Sequence, residues 1–190
     1  MSLDVERLLE ESGVVRQGHF VLSSGRHSGT YLQCALALQH PELATRLGAA
    51  LGELFANEKV QAVAAPALGG ILVAHEVARR LEVRGIFAER QEGGLTFRRG
   101  FHLEPGERVL VVEDVVTTGG SVREVVELVR RAGAVPVGIG AIVDRSGGED
   151  LGVPFRALIR LNAVSWAAAD CPLCRQRLPT EKPGSRHQRL

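Results

Sequence analysis

Val109 to Val112 are four apolar residues in a row, three of them β-branched. A run this short and this rich in β-branched residues suits a strand buried on both faces, as in a parallel sheet. Glu113 and Asp114 follow at once, then Val115, Val116, Thr117, Thr118, Gly119, Gly120 and Ser121. The pattern then turns helical, with Val122, Val125, Val126 and Val129 on one face and Arg123, Glu124, Glu127 and Arg130 on the other. The same order of strand, glycine loop and helix recurs upstream. Val60 to Ala65 reads as a strand, Pro66 to Gly70 as a tight loop, and Ile71 to Arg80 as a helix with Leu72 and Val73 inward. Pro41 to Ala56 predicts a helix, with Pro41 in its first turn and a core stripe of Leu43, Leu47, Leu51, Leu54 and Phe55.

The remaining elements are shorter. Leu3, Val5, Leu8 and Leu9 predict an amphipathic helix that Gly13 ends. Gly18 to Gln33 predicts a hairpin around Ser24-Gly25-Arg26. Gly85 to Glu89 is a short strand. Arg90 to Gly100 is a hairpin-like excursion with glycines at its tip, and Phe101 to Gly106 leads back to the central strand. Ala134 to Val143 is a buried strand ending in Asp144-Arg145, and Phe155 to Leu161 is a last strand. Strands and helices alternate from Pro41 to Leu161. That predicts a single α/β domain with a mostly parallel central sheet flanked by helices. Residues 1–40 form a small N-terminal hood over the sheet's C-terminal edge, 41–162 the core and 163–190 a C-terminal tail.

The central segment carries chemistry. Open α/β sheets bind ligands outside the carboxyl ends of their strands. A glycine pair lets backbone approach an anion and adopt positive φ, here expected at Gly119 and Gly120. The helix start behind it offers free N–H groups that suit phosphate. Thr117, Thr118 and Ser121 add hydroxyls. Carboxylates for a polyol beside a loop for a phosphate describe a sugar phosphate. The loop lacks the lysine of a Walker A motif. Pro66 to Gly70 is a second anion-binding candidate on the same grounds.

Glu113-Asp-Val-Val-Thr-Thr-Gly-Gly-Ser121 resembles the phosphoribosyl diphosphate (PRPP) motif of type I phosphoribosyltransferases. Phe20-Val-Leu-Ser-Ser-Gly-Arg-His-Ser28 resembles the N-terminal signature of the orotate enzymes of that family, where it forms a hood over the pyrimidine. The resemblance implies a type I phosphoribosyltransferase fold. It assigns Glu113 and Asp114 to the ribose hydroxyls and Thr117 to Ser121 to the phosphate, with Val115 and Val116 in the same PRPP site. Leu68 and Gly69 fall in a pyrophosphate loop whose cis peptide would lie near Ala67-Leu68. Arg90 matches an arginine at the base of a mobile catalytic loop, and Arg98 and Arg99 stand in for later basic residues by charge alone. Asp144-Arg145 matches a pair whose arginine takes the orotate carboxylate, which a planar guanidinium suits. Thr117, Ser23 and Tyr31 would lie near the base. The implied reaction joins orotate and PRPP to give orotidine 5′-monophosphate and pyrophosphate, in pyrimidine nucleotide synthesis. It implies Mg²⁺ held mainly by PRPP, and a homodimer. The chain departs from the family where lysines are usual, at Ser23, Gly69 and Gln91. A purine or other-base transferase and a PRPP-binding regulator of the same fold share the motif and stay open.

Composition narrows the partners. The 23 basic and 22 acidic residues nearly balance, which argues against general nucleic-acid binding. No apolar run approaches membrane-spanning length, and the N-terminus lacks the features of a signal peptide. Three cysteines make no disulfide framework, so a cytoplasmic setting is the simplest reading. Cys171-Pro-Leu-Cys174 is a lone C-x-x-C. Structural zinc needs four ligands, and no second pair is evident: Cys34 and His187 lie far apart in sequence. The expectation is therefore no certain protein-held metal, and a polar tail that is mobile.

Overall fold

The computed structural model of the chain describes residues 4–22, 24–161 and 164–183. Asp4 caps the first helix, α1 (Val5–Glu11), its carboxylate accepting the Arg7 amide at 3.1 Å. Gly13 follows with φ +68°, and Val5, Leu8 and Leu9 are buried. The predicted hairpin comes next as antiparallel β1 (Val15–Val21) and β2 (His27–Leu32). It turns at Ser24 to Arg26, where the Leu22 amide donates to the Arg26 carbonyl at 2.8 Å. A short helix that the periodicity did not reveal, α2 (Ala35–Leu38), leads to α3 (Pro41–Glu53). Pro41 occupies the first turn of α3, as its missing N–H and fixed φ favour.

The expected stripe of α3 needs correcting at one position. Leu47, Leu51 and Phe55 are buried, but Leu54 is 39% exposed. The helix ends at Glu53 and a 3₁₀ turn follows, so position 54 no longer keeps the helical period. Next come β3 (Ala62–Pro66), α4 (Gly70–Leu81), β4 (Arg84–Gln91) and β5 (Gly94–Phe97). Leu72 is also corrected: Val73 packs inward, whereas Leu72 is 48% exposed. The domain closes with β6 (Arg108–Val116), α5 (Gly120–Arg131), β7 (Val135–Asp144) and β8 (Phe155–Arg160).

These strands make a six-stranded sheet in the order β5-β4-β3-β6-β7-β8, parallel except for the β4–β5 pair. Val109 to Val112 of β6 are fully buried at its centre. Their alternate side chains feed two apolar clusters. Leu110 and Val112 join the α3/α4 side, and Val109 and Val111 join the side covered by Val122, Val125, Val126 and Val129 of α5. A four-residue run with no polar position is what a strand covered on both faces requires.

The tail is corrected more substantially. Within residues 164–183, a short strand β9 (Ser165–Trp166) pairs with β2, giving a three-stranded sheet β1-β2-β9. A last helical turn is α6 (Pro172–Arg175). Glu181 bridges to β1: its amide donates to the His19 carbonyl and its carbonyl accepts the Val21 amide, both at 2.8 Å. Arg26 adds bonds to the Ser165 hydroxyl (2.9 Å) and carbonyl (2.6 Å). The described part of the tail is thus built into the hood rather than mobile.

Candidate active site

The C-terminal ends of β3, β6 and β7 open into a cleft of about 710 Å³ that the hood covers from above. β6 contributes Glu113 and Asp114 to its wall, and the following loop contributes Thr117 to Ser121. The β3–α4 loop supplies Leu68 and Gly69, the residue just after β7 is Arg145, and the hood supplies Leu22, Ser24 and Tyr31. Pro183 of the C-terminal segment also reaches the rim.

Backbone geometry explains why two glycines stand here. Gly119 takes φ +72° at the N-cap of α5 and brings no side chain of its own to the helix start, an end whose dipole favours an anion. Gly120 does not share this conformation. It begins the helix, which corrects the expectation of positive φ at both glycines. Gly69 is instead closely approached by a side chain. A Cβ there would lie 2.9 Å from both carboxylate oxygens of Asp114. The Ala67-Leu68 peptide is cis, as expected, and Leu68, which lines the cleft, is 79% exposed.

The electrostatics are set by burial and local bonds. The Val115 amide donates to Asp114 Oδ1 at 2.8 Å, and the Asp114 amide to Glu113 Oε1 at 3.1 Å. Burial nevertheless pushes the Asp114 carboxyl above its ordinary value, beyond what these bonds recover. Burial, and then the charge of Asp114, push the Tyr31 hydroxyl up. Burial followed by the charges of Asp114 and Glu113 drives the Cys34 thiol well up, so this buried cysteine is no thiolate nucleophile. Burial pushes the half-buried Arg145 guanidinium down. Its neighbour Asp144 is engaged elsewhere, by the Ser146 hydroxyl (2.7 Å) and amide (2.8 Å) and by Arg160 (2.8 Å). Asp144 and Arg145 do not form an ion pair with each other, and no carboxylate among the described residues forms a salt bridge with Arg145. The cleft therefore holds an unpaired guanidinium on one side and a carboxylate pair with an uncapped helix start on the other. An anionic planar group can bind at the first, and a hydroxyl-rich phosphate at the second.

Not every expected residue reaches the cleft. Arg90 lies outside its lining and forms a bidentate pair with Glu124 of α5, at 2.7 and 3.1 Å. Arg99 is likewise bound to Glu89, at 2.8 and 2.9 Å, and Arg98 is exposed outside the cleft. Ser23 lies outside the described residues. Sequence reasoning missed Glu124 and Leu72, both of which line the cleft. Glu124 was read only as part of a polar helix face, and Leu72 as core. It also missed a cluster behind the hood. His19, His27, Cys171 and Cys174 bring ligand atoms within 4.8 Å of one another, which corrects the expectation that the C-x-x-C has no second pair.

Comparison with known proteins agrees with this geometry. The phosphoribosyl transferase domain family model matches residues 37–152. Orotate phosphoribosyltransferase of Pelotomaculum thermopropionicum is 54% identical over 96% of this chain and 97% of that protein. The protein of the same name from Thermotoga maritima is 50% identical over 96% and 98%. Among solved structures, orotate phosphoribosyltransferase from Aeropyrum pernix superposes with a TM-score of 0.71 at 30% identity, covering 83% of this chain and 93% of that one.

Proposed function

We infer the reaction from one premise: this chain belongs to the orotate phosphoribosyltransferase family. It transfers ribose 5-phosphate from PRPP to orotate, giving orotidine 5′-monophosphate and pyrophosphate for pyrimidine nucleotide synthesis. Arg145 carries the choice of base. It is a half-buried guanidinium facing the cleft, and its neighbouring carboxylate is already committed to Ser146 and Arg160. A neutral pyrimidine or purine would leave that cation unpaired, whereas the orotate carboxylate satisfies it.

The remaining roles follow from position. Glu113 and Asp114 accept the ribose hydroxyls. Val115 to Ser121 hold the 5′-phosphate at the start of α5, with the amides doing most of the binding. Leu68 and Gly69 lie where the diphosphate approaches, and Tyr31 and Thr117 flank the base. As the bond from C1′ to diphosphate breaks and the bond from C1′ to the base nitrogen forms, positive charge grows on the ribose and negative charge on the diphosphate. The carboxylates answer the first and Arg90, with Arg98 or Arg99, the second. Arg90 must leave Glu124 to do so, which assigns the β4–β5 hairpin a closing motion.

Mg²⁺ fits this site in a limited way. The cleft presents two adjacent carboxylates and no third converging ligand among the described residues. That suits a hard cation that keeps its waters and takes most ligands from diphosphate, where it would neutralise charge. A homodimer and a cytoplasmic setting belong to this proposal. In support of the latter, no helix among the described residues is long and apolar enough to cross a membrane. Pyrophosphate release with PRPP and either orotate or adenine tests the reading. Release with orotate alone is expected, and silence with orotate would sink it.

A further inference from the structure

Four side chains that take no part in the cleft converge behind the hood. His19 lies on β1 and His27 on β2, while Cys171 precedes α6 and Cys174 lies within it. His19, His27 and Cys171 are buried, and Cys174 is partly so. His19 Nε2 stands 2.8 Å from His27 Nδ1, 3.5 Å from Cys171 Sγ and 3.7 Å from Cys174 Sγ. Cys174 Sγ is 3.3 Å from His27 Nδ1. We propose that these four atoms bind a structural zinc ion, which fastens the C-terminal segment onto the hood.

Distances carry the first part of the argument. Zn–S of about 2.3 Å and Zn–N of about 2.0 Å in a tetrahedron place ligand atoms about 3.3 Å (N–N), 3.5 Å (N–S) and 3.8 Å (S–S) apart. Three of the four nitrogen–sulfur edges, at 3.3, 3.5 and 3.7 Å, straddle the nitrogen–sulfur value, and all four ligand atoms lie within 4.8 Å of one another. The two nitrogens, at 2.8 Å, need to open by about half an ångström.

Tautomer and charge carry the second. His19 Nδ1 lies 2.9 Å from the Leu178 carbonyl. A carbonyl only accepts, so the proton sits on Nδ1 and the Nε2 lone pair points into the cluster. Such a backbone bond is how metal-binding histidines are commonly held. Two thiolates and two neutral imidazoles cancel the charge of the dication, so the site adds no net charge to a buried region. Two sulfurs and two nitrogens in a tetrahedron select zinc among common ions, and a closed set of four marks a structural rather than a catalytic site.

The position gives the ion its task. His27 and Cys171 are separated by well over a hundred residues, and the hairpin and the tail otherwise meet through a few backbone and surface bonds. A tetrahedral ion would tie both strands of the hairpin to α6.

Metal analysis of the full-length protein, purified without chelator, should find about one zinc per chain. Co²⁺ loading of the metal-depleted protein should give the intense visible bands of a tetrahedral ion and a thiolate charge-transfer band. Both should vanish in Cys174→Ser and His27→Ala and persist in Cys34→Ser, whose thiol lies elsewhere. Cys174→His should retain metal. Zinc removal should lower Tm by about 5 °C or more. If the isolated protein lacks zinc and Co²⁺ gives no charge-transfer band, the four groups are held by hydrogen bonds alone and the proposal is overturned. Unchanged cobalt bands in Cys174→Ser overturn it as well.

Discussion

Asp144 and Arg145 are chain neighbours with opposite fates. Asp144 is 1% exposed, and burial alone would raise its carboxyl, but Ser146 and Arg160 hold it below its ordinary value. Arg145 turns into the cleft without a salt-bridge partner among the described residues. Losing a charge-assisted pair to a buried ligand costs about 1.5–3 kcal/mol. Arg145→Ala should therefore raise KM for orotate about 10- to 100-fold. Protection from heat unfolding by PRPP should be nearly unchanged, because the site proposed for PRPP is the other wall. Equal losses for both ligands would place Arg145 in a general structural role. Asp114 makes a pH prediction. Its raised pKa means that the ionised form, proposed to accept the ribose hydroxyls, fills only above the ordinary 3.8. kcat/KM for PRPP should fall on the acid side through a group titrating above 3.8, and Asp114→Asn should remove that limb along with most activity. The sign for folding is the reverse. A carboxyl whose folded pKa is raised holds its proton more tightly when folded, so the ligand-free protein gives up some stability as pH climbs through the same window.

At the scale of elements, the site is two copies of strand, glycine loop and helix, and each loop is constrained in its own way. Gly119 is fixed by its left-handed φ and by Leu151, whose side chain would lie 2.4 Å from an added Cβ. Gly119→Ala should therefore cost more than about 1 kcal/mol. It should also weaken PRPP protection by tilting the amides at the start of α5, both read from thermal melts with and without PRPP. The β4–β5 hairpin holds its arginine in reserve. Arg90→Ala should cut kcat at least tenfold with little change in Tm, because an exposed Arg90–Glu124 pair contributes at most about 1 kcal/mol to folding. Unchanged kcat would remove Arg90 from the reaction. These units were legible in the chain because each depends on local order: a β-branched run, a glycine, a helical period. Leu54 and Leu72 were misread for the same reason. A period assigns a residue to a face, but it does not say where a helix stops or where its covering neighbour ends. His19 and His27 gave no local signal, since each looks like a polar position in a strand. Only the pairing that sets His27 opposite Val21, and the return of the tail to β1, brings them to the two cysteines.

The whole molecule divides its ligands between two unequal sheets. The six-stranded sheet is covered by apolar clusters on both faces and carries the groups assigned to phosphate, ribose and carboxylate. The hood sheet has three strands, one of them only two residues long, and contributes the wall over the base. A hairpin alone is marginally stable in water, so β1 and β2 depend on the segment from Ser165 to Glu181. Hydrogen exchange of the intact protein should therefore show β1, β2 and the Ser165–Glu181 segment opening together, at lower free energy than β6 and β7. Chelation of zinc should accelerate exchange across that whole unit and leave Val109 to Val112 protected. The buried β6 run depends on neither histidine nor cysteine. If the C-terminal segment exchanged well before the hairpin, or if chelation touched β6 as strongly as β2, the hood would not be a separate cooperative unit. Tethering chain ends that lie far apart in sequence would then have no bearing on how the base is covered.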